Sequence, residues 1–120
     1  MNLIAVFLGG GLGSICRYGV EKLSSTIIGS NFPYATLCSN VLSTLVLAYF
    51  IYFFHHKMGL SNSWKLFVVT GFCGGFSTFS TFSFETFEML KNGQSSLAVL
   101  NVILSMLCCL FVLYILYKNH

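Results

Sequence analysis

The segment Gly71-Phe72-Cys73-Gly74-Gly75-Phe76-Ser77-Thr78-Phe79-Ser80-Thr81-Phe82-Ser83-Phe84-Glu85 gathers groups that could handle an ion with almost no charge of their own. Three glycines lower helix propensity, and five hydroxyl residues within seven positions can bond to or compete with the nearby backbone. A helix break there would free backbone carbonyls, oxygen ligands suited to a hard cation such as Na+. Phe76, Phe79 and Phe82 recur every third residue, which predicts one aromatic face. Phenyl rings have electropositive edges that can face an anion while hydroxyl donors replace its water. Ordinary packing produces the same stripe, so spacing alone leaves both readings open.

Other polar groups fall inside apolar stretches, where each is costly and often functional. Asn40 has Thr36 one turn before it and Ser43 and Thr44 one turn after it, while Asn101, Ser105 and Cys109 follow at i, i+4 and i+8. Interhelical hydrogen bonding would account for either set as well as an ion path would. Arg17 near the end of the first apolar stretch could snorkel to headgroups or stand at the mouth of an anion pathway. Gly9 and Gly13 form a Gly-x-x-x-Gly pair that predicts close helix packing. His55 and His56 fall at an expected interface, with no Ser/His/Asp constellation, so an enzyme is not expected.

The elements that must position these groups follow from composition. Of 120 residues, six are Lys or Arg and three are Glu, so 8% of the chain is charged where a soluble domain has about 25%. A hydrophobic fraction of 56% places so small a chain in a bilayer. At about 20 residues per span, four helices fit and six do not. The expected spans are Leu3 to Val20, a second opened by Pro33 in its first turn and running to Phe54, Trp64 to Leu90 with an irregular middle, and Ser95 to Tyr117. A Ser/Thr-rich linker follows the first span, Trp64 and Lys65 read as interfacial anchors, and Lys91-Asn92-Gly93 reads as a tight turn. No Lys or Arg precedes the first stretch, so it reads as a retained helix rather than a cleaved leader. The whole chain, residues 1–120, is expected to form one transmembrane domain in contact with membrane lipid.

Cys16, Cys38, Cys73, Cys108 and Cys109 lie in apolar stretches at an odd count, which argues against disulfides. No basic run points to nucleic acid. With four spans, Lys57, Lys65 and Lys118 fall on one side of the membrane and Arg17, Lys22 and Lys91 on the other. Topology follows Lys/Arg asymmetry, so this balance predicts insertion in both orientations and an antiparallel pair.

The GFCGGFSTFSTFSFE segment, with GGGLGSICRY from Gly9 and ATLCSN from Ala35, closely resembles the fluoride channels of the Fluc/CrcB family. The resemblance spans essentially the whole chain. It implies an all-α integral membrane protein: four transmembrane helices with a broken third, assembled as a dual-topology antiparallel dimer, homodimeric or with a related subunit, in the plasma membrane. It implies passive export of fluoride, with one structural Na+ held by the backbone carbonyls of Gly74 and Ser77 from both subunits. Phe79 and Phe82 would line the path, Asn40 would donate to the ion, and Thr81, Ser105 and Cys109 would extend a hydrogen-bonding track. Arg17 and Glu85 would belong to a vestibule or polar network. Ser77 stands where the family often has Thr, Cys109 where a hydroxyl is common and Asn101 where Tyr is frequent. The rival readings are a small proton-coupled exporter, which would need a carboxylate deep in the first span where none occurs, and a non-conducting partner subunit.

Overall fold

The structure, a computed structural model, describes residues 1–27, 32–54 and 61–119. The expectations for Gly29 to Asn31 and for His55, His56 and Lys57 lie outside the described residues. Helix α1 spans Asn2–Ile27. Helix α2 spans Tyr34–Tyr49 and widens to π geometry over Phe50–Phe54. The third apolar stretch is composite: α3 (Asn62–Lys65), a π segment (Leu66–Cys73), α4 (Gly74–Phe76), then α5 (Phe79–Lys91). Helix α6 spans Ser95–Lys118. Four stretches, Asn2–Ile27, Tyr34–Phe53, Asn62–Lys91 and Ser95–Lys118, are long and apolar enough to cross a membrane.

Two boundaries differ from expectation. The Ser/Thr-rich stretch after Val20 continues α1 as helix to Ile27, and Ser25 Oγ and Thr26 Oγ1 are accommodated there by donating back to the Lys22 carbonyl at 2.9 and 3.0 Å. Pro33 sits outside α2, as its N-cap with ψ 68°, rather than in the first turn; its carbonyl accepts from Leu37 N–H. The turn at Lys91 to Gly93 forms as expected. Gly93 takes φ +79°, and the N–H groups of Gly93 and Gln94 donate to Leu90 and Met89, closing the end of α5 in a Schellman arrangement.

Burial is inverted relative to a soluble bundle. The fully enclosed positions are small or polar, among them Ser39, Ala48, Ala98 and Asn101, whereas Leu3, Phe7, Ile15, Phe79 and Phe111 face outward. Helices in lipid gain little from burying apolar groups and associate through close packing and hydrogen bonds, which small and polar interiors provide. Helix α1 packs chiefly on the third stretch, and α2 on α6. Ser63 Oγ donates to Asn2 Oδ1, and the rings of Tyr52 and Tyr117 lie 5.7 Å apart, so the starts of α1 and α3 meet, as do the ends of α2 and α6.

Candidate functional site

The third stretch breaks where the hydroxyls begin, between Phe76 and Phe79. Ser77 (φ −78°, ψ 157°) and Thr78 (φ −151°, ψ 110°) are extended, and the helix restarts with Thr78 as its N-cap, Oγ1 accepting the N–H of Thr81 at 3.2 Å. The backbone groups around the break go to side chains. Thr78 N–H, which in a continuous helix would donate to the Gly74 carbonyl, donates to Asn40 Oδ1 at 2.8 Å. Thr81 N–H, which would serve the Ser77 carbonyl, goes to Thr78. Arg17 Nε–H donates to the Gly75 carbonyl at 3.1 Å. Ser43 Oγ and Ser77 Oγ both donate to the Cys73 carbonyl, at 2.9 and 2.8 Å. The carbonyls of Gly74 and Ser77 thus lose the donors that a continuous helix would supply.

One flank of the break is closed by α1. A Cβ added to Gly13 would stand 2.2 Å from the Phe72 carbonyl oxygen, and one on Gly9 equally close to that of Phe67, so backbone lies on backbone as the Gly-x-x-x-Gly spacing predicts. On the side of α2 and α6 there is space instead: a pocket of about 320 Å³ lined by Asn40, Thr44, Ser77, Phe79, Phe82, Ser105 and Cys109. With its carbonyl engaged by Thr78, Asn40 keeps both amide N–H groups for this pocket. The rings of Phe79 and Phe82 lie 6.0 Å apart at 40°.

Phe76 does not join them. It is buried before the break and packs edge-on against Phe72 at 5.6 Å, so the predicted three-ring face is a two-ring one; the extended residues Ser77 and Thr78 interrupt the helical phase. Thr81 and Glu85 line a separate cavity of about 310 Å³ with Glu21 and Thr36, whose Oγ1 donates to Glu85 Oε1 at 2.5 Å. Asn101, 1% exposed, donates to Thr86 Oγ1 at 3.0 Å and accepts from Ser105 Oγ at 3.5 Å, tying α6 to α5. Thr78, Thr86 and Ser43 had no individual role in the sequence reading. Thr78 itself, an N-cap residue type directly before Phe79, is the signal that could have placed the restart of the helix. The five cysteines are free thiols.

Residues 4–116 match the profile of the family described as CrcB-like protein, Camphor Resistance (CrcB). Three similar proteins are each named "Fluoride-specific ion channel FluC". That of Methylobacterium sp. (strain 4-46) is 44% identical over 78 residues, 65% of this chain and 62% of the relative. That of Rhodopseudomonas palustris (strain BisB5) is 40% identical over 78 residues, 65% of this chain and 63% of the relative. That of Sulfurihydrogenibium sp. (strain YO3AOP1) is 37% identical over 75 residues, 62% of this chain and 60% of the relative. The aligned portion is thus about three fifths of these relatives' length. The chain belongs to the CrcB family and is a multi-pass membrane protein.

Proposed function

We propose that this CrcB-family chain forms a passive, fluoride-selective channel that lets fluoride leave the cytoplasm across the plasma membrane and so lowers its toxicity. The observation that carries this reading is the Asn40 amide, held by Thr78 N–H at its oxygen and open at its nitrogen to a pocket walled by Phe79 and Phe82. Fluoride is small and strongly hydrated, so it crosses only where protein donors replace its water at several sites, none binding so tightly as to trap it. Asn40 N–H and the ring edges of Phe79 and Phe82 supply neutral contacts of that kind, and Ser105 joins them by turning its one O–H from Asn101 Oδ1 toward the pocket. The names carried by the similar proteins point the same way.

The assembly in this reading is an antiparallel dual-topology dimer, either of two copies or with a related subunit. Balanced Lys and Arg support it, as does the outward exposure of Gly74 and of Phe79, which is 79% exposed. A second copy would complete a path of which one copy lines a part. A structural Na+ fits the donor set at the break, because hard carbonyl oxygens at Gly74 and Ser77 have lost their helical donors. When bound, Na+ would pin those carbonyls and supply a positive charge near the path. Thr81 and Glu85, away from the Asn40 pocket, fit the polar network toward one end, with Arg17 beside the break.

Purified chain in liposomes loaded with fluoride should release it when Na+ is present, and release should fall when Na+ is replaced by a larger cation. Absence of efflux in Na+ from this chain alone, restored by adding a related subunit, would move the assignment to the partner-subunit reading; absence in both would remove it.

A further inference from the structure

Gly74 and Gly75 are adjacent residues without side chains, so nothing in their own chemistry fixes where their carbonyls point. The break removes the helical bonds that would do so. The Phe79 N–H that a continuous helix would aim at the Gly75 carbonyl now begins the next helix, and Arg17 Nε–H is bonded to that carbonyl instead. Arg17 lies on α1 one turn beyond Gly13, where backbone meets backbone, and a Cβ on Gly75 would stand 2.4 Å from the Gly10 carbonyl oxygen. The glycine crossing therefore sets the height at which Arg17 meets the break. Among the described residues, no carboxylate lies within ion-pair distance of Arg17. Its role is defined by a carbonyl acceptor.

We infer that Arg17 is a positioning residue: its Nε–H replaces the missing helical donor on Gly75 and fixes the direction of the adjoining Gly74 carbonyl, rather than drawing anions to a vestibule by charge. This deepens the channel reading and rests on it for its functional consequence. Asn40 holds the N–H side of the break from α2, and Arg17 holds the C=O side from α1. The break is thus fixed from two spans at once.

Two substitutions separate donor from charge. In glutamine the amide nitrogen is attached to Cδ, as Nε is in arginine, and is a neutral donor; in lysine the charge remains but the donor at that position is lost. Fluoride efflux, its half-maximal Na+ concentration and the melting temperature of the purified full chain are measured for the wild type, Arg17→Gln and Arg17→Lys. Arg17→Gln should keep efflux within about threefold of wild type, with unchanged Na+ dependence and melting, whereas Arg17→Lys should lose about tenfold, need more Na+ and melt lower. Lysine retaining and glutamine losing function would assign the role to charge, and equal behaviour of the two variants would also overturn the inference. If the wild type alone moves no fluoride, the channel reading is decided separately by adding a related subunit, and the order of melting temperatures decides the Arg17 contact.

Discussion

Where α1 crosses the third stretch, Gly9 and Gly13 press backbone against the carbonyls of Phe67 and Phe72, while toward α2 and α6 the same stretch faces a pocket of about 320 Å³ with amide, hydroxyl and ring groups around it. On the first flank a side chain at Gly9 or Gly13 would collide with backbone, and the donor that reaches the break is Arg17 Nε–H. The second has Asn40 fixed at its oxygen and open at its nitrogen. Irregular backbone at mid-membrane depth must be enclosed on protein or line a cavity, and this break has one condition on each flank. The sealed flank makes the break tolerable and the open flank makes it useful.

This contrast breaks first at the crossing. Gly13→Val forces side-chain atoms onto the Phe72 carbonyl and should cost more than about 3 kcal/mol, seen as loss of monodisperse folded protein. Gly11→Ala, where an added Cβ meets nothing within 4 Å, should change stability by no more than about 1 kcal/mol in melting experiments. On the open flank, Phe79→Ile or Phe82→Ile removes an electropositive ring edge but keeps apolar bulk. Each should lower fluoride efflux by about tenfold with melting nearly unchanged. The smallest effect expected is at Cys109, a pocket-lining thiol that donates weakly: Cys109→Ser should raise efflux by about threefold at most, measured under the same gradient.

Much of this division was legible beforehand. Glycine spacing foretold the α1 crossing, and the hydroxyl cluster after Gly75 foretold the break, because both are local consequences of residue type. Asn40, Phe79, Phe82, Ser105 and Cys109 were grouped through the family resemblance, and the structure places them around one pocket. What stayed illegible depends on helix phase and long-range contact. Two extended residues at Ser77 and Thr78 rotate Phe76 away from Phe79, a change that a period-three count cannot register. The bond from Arg17 to Gly75 joins residues 58 positions apart and depends on the height of a crossing, and the separation of Thr81 from the Asn40 pocket depends on how α5 restarts. The π segment over Leu66–Cys73 has no evident signal in residue type.

The central claim, that the free end of the Asn40 amide contacts the anion while its bound end holds the break, is tested most directly with Asn40→Asp. The carboxylate keeps an oxygen for Thr78 N–H but removes both amide donors and adds a negative charge to the pocket. Fluoride efflux from liposomes, set beside the melting temperature of the same preparation, should fall at least about a hundredfold while melting stays close to wild type. Undiminished efflux at unchanged melting would contradict the account and remove Asn40 from the path.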